Sequence, residues 1–144
     1  MSGYHFDPEL QSLKASLTDS PKIGPLVEIT RTLDQAKALM SFLDAVSERS
    51  KRSTVSLTAG RGRGKSAAIG LCLAGAIQCG YSNVYVTAPS PENLKTVFQF
   101  VISGLKAIRY TEHLDFEVTI VISMIINFSL KRLSKKIIMK SARW

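Results

Sequence analysis

Cysteine, histidine and long apolar runs are scarce in this 144-residue sequence, and each shortage excludes a class of protein. The two cysteines, Cys72 and Cys79, are too few for a secreted domain held together by disulfides. Seven residues of helix would separate them by roughly 10 Å, so we expect them to pack in a core in a reducing compartment. His5 and His113 are isolated and lack the spacing of metal ligands. The first nine residues contain no apolar run, so no signal peptide is expected.

Acidic residues are absent after Glu117, and this divides the chain by charge. The formal net charge is +8, from 19 basic and 11 acidic residues. Residues 1–117 hold all the acids and 13 of the bases, whereas residues 118–144 hold six bases and no acid. A basic excess indicates partners that carry phosphate. Because most of the excess lies in the last segment, the total charge alone does not identify the partner.

Apolar periodicity and turn signals predict an alternation of helices and strands. The predicted elements are a helix over 32–49, a strand over 54–58, a helix over 65–79, a strand over 83–88 and a helix over 91–109. The spacing of Thr32 and Gln35 is that of a helix capping box, and Gly80 suits a helix end. Such alternation favours an α/β fold, a parallel sheet with flanking helices.

A glycine-rich segment between the first predicted strand and the next helix carries the clearest chemical signal. Residues 59–66, the glycine loop, read A-G-R-G-R-G-K-S, close to the phosphate-binding pattern Gly-x-x-x-x-Gly-Lys-Ser/Thr. Its glycines favour an anion nest of backbone N–H groups, Lys65 suits the β- and γ-phosphates of ATP, and the Ser66 hydroxyl suits Mg²⁺. The pattern itself therefore predicts that the glycines at 60, 62 and 64, with Lys65 and Ser66, bind phosphate.

Two interpretations of this loop stay open, since a basic glycine-rich loop also binds RNA phosphates without specificity. Arg61 and Arg63 are additional to the pattern and either contact phosphate or lie solvated on the loop. Hydrolysis of ATP also needs an acid at the end of a later strand, and neither later apolar run ends in one. No catalytic residue is therefore predicted.

Four segments resemble the RNA cytidine acetyltransferases over roughly residues 6–117. They read S-T-V-S-L-T-A-G-R-G-R-G-K-S-A-A at 53–68, G-Y-S-N-V-Y-V-T-A-P-S-P-E-N-L at 80–94, T-L-D-Q-A-K-A at 32–38 and E-H-L-D-F at 112–116. The resemblance implies a much longer nucleolar or cytoplasmic protein that joins a helicase-like ATP-binding module to an acetyltransferase module. Such proteins use acetyl-CoA and ATP to make N4-acetylcytidine in 18S-type rRNA and tRNA, and support ribosome biogenesis.

The resemblance also suggests roles for residues and boundaries for segments. It implies a P-loop NTPase (RecA/helicase-like) fold, here incomplete. It carries ATP binding onto Gly60, Arg61, Gly62, Arg63, Gly64, Lys65 and Ser66. It also makes Thr87 and Ser90 candidates for nucleic-acid contact, the alternative being a strand end and a helix cap. We expect a connecting segment at 1–31, the first part of the ATP-binding module at 32–117, and a divergent apolar then basic tail at 118–144. The acetyl-CoA loop of the transferase module is not found.

The apolar run 118–130 has three interpretations. At 13 residues it is short for a membrane anchor, so no membrane association is expected, and it either adds a strand to the sheet or forms a non-native end. The leading expectation is a piece of an RNA cytidine acetyltransferase that by itself only binds nucleotide, localised to the nucleolus. The alternatives are a free-standing P-loop ATPase, helicase-like protein or kinase, and a non-enzymatic RNA-binding fragment.

Overall fold

Five helices and four strands make up the described part of the chain. The structure, a computed structural model, describes residues 6–48, 52–62, 64–81, 84–88, 91–111, 117–121, 125–130 and 135–141. The helices are α1 (Pro8–Leu17), α2 (Gly24–Glu28), α3 (Leu33–Ser47), α4 (Lys65–Gln78) and α5 (Pro91–Ala107). The strands are β1 (Tyr85–Ala88), β2 (Glu117–Val121), β3 (Ile125–Leu130) and β4 (Lys135–Ser141).

Helix α4 is the centre of the helical layer and packs against both α3 and α5. Its sequence is apolar or small on nearly every face, which is typical of a helix enclosed by its neighbours. Its buried positions are Ala68, Gly70, Leu71, Cys72, Ala74, Gly75, Ala76 and Ile77.

The apolar faces predicted for α3 and α5 point into the same core. From α3, Leu39 and Leu43 are buried, and from α5, Val101 and Leu105 are buried. Leu26 of the short helix α2, which periodicity did not predict, is also fully buried. The periodicity of the two longer helices is therefore confirmed, with the core at their common contact with α4.

Gly70 brings α4 and α5 into close contact. A Cβ added there would lie 2.5 Å from the Cβ of Phe100 and 2.7 Å from the carbonyl oxygen of Val97. Both distances are shorter than real carbon contacts allow, so only a glycine fits between the two helices at this point.

The predicted helix ends agree with the structure. The backbone N–H of Gln35 donates to the Thr32 hydroxyl at 3.3 Å, so Thr32 caps the start of α3. Gly80 has a φ of 95° and follows the end of α4, with its N–H donating to the Ile77 carbonyl at 3.0 Å. A side-chain cap at Thr32 fixes the first boundary, and the left-handed backbone of Gly80 fixes the second.

The predicted parallel sheet is wrong. Residues 52–60 contain no strand, and Val55 and Leu57 are 47% and 40% exposed. The observed sheet is mixed, with strand order β1-β4-β3-β2. Only β1 and β4 are parallel, with Tyr85 beside Ile138, whereas β4–β3 and β3–β2 are antiparallel.

The reason for this error lies in strand pairing. A β-branched run becomes a strand only when a neighbour supplies backbone hydrogen bonds, and 54–58 has no such neighbour among the described strands. Strand β1 pairs on one side with β4, which lies about fifty residues later in the sequence, and its other side is an edge of the described sheet. The apolar pattern of a segment does not indicate which other segment will pair with that segment in a sheet.

Cys72 and Cys79 are thiols that are not joined by a disulfide. Cys72 is buried in the core, and Cys79 is half-buried and packs against it. Across the described ranges, no helix has the length and apolar character needed to cross a bilayer.

Replacing Gly70 tests the close packing of α4 and α5. Gly70→Ala should lower the free energy of unfolding by about 1–3 kcal/mol, because the new methyl group overlaps Phe100 and Val97. Urea unfolding measures this loss. The control is Ser103→Ala on the exposed side of α5, which should change stability by less than about 0.5 kcal/mol. Equal stability of the two variants would contradict the close packing.

Burial of Cys72 predicts a loss of stability in alkaline solution. Burial raises the pKa of its thiol from 9.0 to about 12. Between these values the unfolded chain loses the thiol proton and the folded chain keeps it, so the free energy of unfolding falls as pH rises. Cys72→Ala should remove this part of the pH dependence, and Cys79→Ala should retain it. Identical alkaline profiles for wild type and Cys72→Ala would exclude the effect.

Candidate functional site

The glycine loop leads directly into the first turn of α4. Gly62 and Gly64 have φ values of 78° and 79°, in the left-handed region that favours glycine. Gly64 is the residue that precedes α4, and no side chain caps the helix there. The first N–H groups of α4 are therefore available to an anion, which the positive end of the helix dipole also favours.

A buried glutamine of α3 holds the end of this loop. The Nε2 of Gln35 donates to the carbonyl oxygen of Gly64 at 3.2 Å, and the same oxygen accepts the N–H of Ala68 at 3.0 Å. The Oε1 of Gln35 accepts the N–H of Arg31 at 2.9 Å. The glutamine side chain thus joins the start of α3 to the start of α4.

The position of Gly64 depends on this contact as well as on its backbone angles. A Cβ at residue 64 would collide with the Nε2 of Gln35 and lie 3.3 Å from its Cδ. At Gly62, by contrast, an added Cβ would meet nothing within 4 Å. The same left-handed conformation therefore occurs once in open space and once against a buried side chain.

An open cavity of about 910 Å³ lies between the glycine loop, the start of α3 and the middle of α5. The residues that line it are Ile29, Arg31, Thr32, Asp34, Gln35, Ala38, Leu57, Thr58, Ala59, Gly60, Gly62, Gly64, Lys65, Ala67, Ala68, Leu71, Phe100 and Ser103. Ligand-binding clefts typically have volumes of roughly 300–1,000 Å³, so the space is large enough for a nucleotide.

Lys65 closes the loop on itself. Its Nζ donates to the carbonyl oxygen of Ala59 at 2.7 Å, and the side chain is exposed. A charged phosphate oxygen is a stronger acceptor than a neutral carbonyl, so Lys65 can exchange this partner for a phosphate at small cost. Two left-handed glycines, an uncapped helix start and an exposed lysine together fit a phosphate group.

The same residues offer less to a metal ion. Ser66 is half-buried at the start of α4, and Asp34 contributes a carboxylate to the cavity wall. In the part of the chain that the structure describes, no cluster of three or more His, Cys, Asp or Glu residues could hold a metal. A Mg²⁺ ion at Ser66 would therefore depend on phosphate oxygens for most of its ligands.

The structure places most of the predicted site residues together. The loop before α4 contains Gly60, Arg61, Gly62 and Gly64, and the first turn of α4 contains Lys65 and Ser66. Arg61 is exposed. Arg63 and Ser90 lie outside the described residues, and Thr87 lies in β1. The ATP and nucleic-acid roles of these residues stay predictions.

Sequence reasoning missed the contribution of α3. The capping-box spacing assigns Gln35 a role at the start of its own helix, and the structure adds a second one, since its Nε2 donates to Gly64, 29 residues away in the chain. Arg31, Thr32 and Asp34 line the cavity beside it. One feature of the sequence could have indicated this contact. Gln35 lies on the apolar face of α3, and a buried amide needs hydrogen-bond partners.

Comparison with known proteins agrees with the resemblance of the sequence. The family described as "RNA cytidine acetyltransferase NAT10/TcmA, helicase domain" matches residues 56–140. This match covers more than half of the chain. The chain belongs to this family.

Similar proteins named RNA cytidine acetyltransferase occur in several eukaryotes. The human protein is 57% identical over 112 residues, which cover 78% of this chain and 11% of the human protein. The Caenorhabditis elegans protein is 59% identical over 111 residues, 77% of this chain and 11% of its own length. The Saccharomyces cerevisiae protein is 54% identical over 110 residues, 76% of this chain and 10% of its own length. The chain thus spans about a tenth of the length of these relatives.

The family assignment confirms the resemblance read from the motifs. The matched range of this helicase-domain family includes the glycine loop from its first residue, α4 and α5. It also extends beyond residue 117, where the predicted tail begins. The boundaries 1–31, 32–117 and 118–144 stay predictions.

Paired alanine substitutions at the two left-handed glycines test the geometry of the loop. Gly62→Ala should cost about 1–2 kcal/mol of unfolding free energy, the cost of a left-handed alanine. Gly64→Ala should cost at least about 1 kcal/mol more, because its methyl group also displaces Gln35. Urea unfolding of both variants gives the difference. Equal losses would show that Gln35 does not lie against Gly64.

Proposed function

We propose that the chain is the ATP-binding portion of an RNA cytidine acetyltransferase, with the ATP phosphates bound by the glycine loop. The observation that carries this proposal is the pair of left-handed glycines, Gly62 and Gly64, directly before the uncapped start of α4. This arrangement turns backbone N–H groups toward one point, where a phosphate oxygen can accept several of them.

Charge supports the same proposal. Lys65 is the first residue of α4, and its exposed ammonium lies at the positive end of that helix. Lys65 would leave the Ala59 carbonyl and bind the β- and γ-phosphates. Arg61 is exposed on the same loop and adds positive charge near the site. Family membership is independent support, since the matching family is a helicase domain.

Magnesium would bind together with ATP. The Ser66 hydroxyl is the side chain of the loop that would ligate the ion, with phosphate oxygens and water completing its shell. Bound ATP supplies a phosphoanhydride bond whose cleavage releases free energy. In the described ranges we assign no residue to that cleavage, and the proposed role of this chain is binding.

For the whole protein, we propose the activity that the names of its relatives print. An RNA cytidine acetyltransferase would transfer an acetyl group from acetyl-CoA to N4 of cytidine in 18S-type rRNA and tRNA, with ATP consumed. Acetyl-CoA would bind in a transferase module and not in this chain. A nucleolar location and a role in ribosome biogenesis follow from the same resemblance.

Two alternatives receive less support. A free-standing ATPase or kinase is disfavoured by family membership, since the matched part of this chain covers only about a tenth of the length of the similar proteins. Binding of RNA by a non-enzymatic fragment would rest on the basic residues of 118–144, such as Lys135 and Lys136 in β4. A free-standing ATPase or kinase would share the conformation of the glycine loop, so only the length of the relatives and family membership count against it. RNA binding through residues 118–144 does not account for that conformation.

ATP-dependent stabilisation tests the proposed site. With Mg²⁺ and ATP at 100 times its Kd, binding should stabilise the folded chain by about 2.7 kcal/mol and raise its Tm. Lys65→Ala should abolish most of this rise. The matched control is Lys37→Ala, an exposed lysine that pairs with Glu9 at 3.4 Å and does not line the cavity. Equal responses of wild type and Lys65→Ala would contradict phosphate binding at the glycine loop.

A further inference from the structure

Gln35 is a buried polar side chain whose hydrogen bonds connect two elements of the candidate site. Its exposed fraction is 7%, and it projects from the first turn of α3. Removing an amide from water is costly unless its donors and acceptors find partners. Here the partners are the N–H of Arg31 and the carbonyl oxygen of Gly64. The second partner belongs to the glycine loop, which is why this contact matters for ligand binding.

The orientation of the amide follows from its partners. The N–H of Arg31 can only donate, so it selects the oxygen of the Gln35 side chain, at 2.9 Å. The nitrogen therefore faces the carbonyl oxygen of Gly64, which can only accept. Glutamine meets both demands, since it carries one acceptor and one donor at the same distance from the backbone. A glutamate carboxylate would meet only the first.

The contact with Gly64 fixes the orientation of a peptide unit. In a trans peptide the carbonyl and the following N–H point in opposite directions. Holding the Gly64 oxygen toward Gln35 and Ala68 therefore turns the N–H of Lys65 the other way, out of the start of α4. That direction is where the glycine loop would hold a phosphate. The terminal hydrogen bond of a helix opens easily, and a second bond from a buried amide restrains it.

We propose that Gln35 is a positioning residue for the phosphate site, acting through the Gly64 carbonyl without touching the phosphate. It keeps the Lys65 N–H aimed at the ligand before the ligand arrives, so binding does not have to order this peptide unit. The proposal rests on the proposed function, since it assumes that a phosphate group binds at the glycine loop.

The experiment compares two variants of Gln35 with the wild-type chain. Gln35→Met keeps the length and loses both hydrogen bonds, and Gln35→Glu keeps the acceptor for Arg31 and loses the donor for Gly64. Both should weaken Mg·ATP and inorganic tripolyphosphate roughly tenfold, as measured by calorimetry, because one restrained donor is lost. Amide hydrogen exchange at Lys65 and Ala68, measured without ligand, should accelerate in both variants.

Two controls separate positioning from a general loss of stability. Leu43→Ala removes a buried side chain from the far end of α3 and should lower the Tm without changing ATP affinity. In Gln35→Glu, protonation restores an O–H donor at the same place. The affinity of this variant relative to wild type should therefore recover as pH falls from about 8 to about 5, and that of Gln35→Met should not.

The outcomes distinguish this inference from the proposed function. Weak binding by the uncharged Gln35→Met, together with faster amide exchange at Lys65, supports positioning. Recovery of Gln35→Glu at low pH agrees with it but does not suffice, because protonation also removes a negative charge beside the phosphates. If wild type binds and both variants bind equally well, the role of Gln35 is overturned and the phosphate site stands. If Leu43→Ala weakens binding as much as Gln35→Met, the effect is loss of stability and positioning is overturned. If wild type binds neither ATP nor tripolyphosphate, the proposed function is wrong and this inference fails with it.

Discussion

The carbonyl oxygen of Gly64 is the acceptor on which the candidate site depends. It accepts the N–H of Ala68, which begins α4, and the Nε2 of Gln35, which belongs to α3. One atom thus joins the glycine loop to two helices. A loop with two left-handed glycines has many accessible conformations when it is unrestrained, so its order depends on contacts of this kind.

The packing of α4 makes that contact effective. Because α4 lies against both α3 and α5, the first turn that carries the loop is part of a buried helix. Gly70 allows α5 to approach closely on one side, and Leu39 of α3 is fully buried on the other. Sites on rigid elements hold their donors in place before a ligand binds. The remaining adjustment is small, since Lys65 only has to leave the Ala59 carbonyl.

The helices α3, α4 and α5 and the strand β1 could be predicted from the sequence, whereas α2 and the pairing of the strands could not. Periodicity and caps are local, so the spacing of Thr32 and Gln35 and the glycine at position 80 suffice to locate helix ends. Strand pairing joins distant segments, and nothing in 54–58 indicates that it stays unpaired while β4 pairs with β1. The contact between Gln35 and Gly64 could not be predicted for the same reason. Its members lie on different elements, and only the fold brings them together.

The central claim is that the glycine loop before α4 is a phosphate site, and an NMR titration of the ¹⁵N-labelled chain with Mg·ATP tests it most directly. The account predicts that the largest amide shifts lie in residues 60–66, with smaller shifts at the Gln35 side chain. Changes centred on the basic strand β4, with the glycine-loop amides unmoved, would contradict it and indicate that ATP binds only through surface charge.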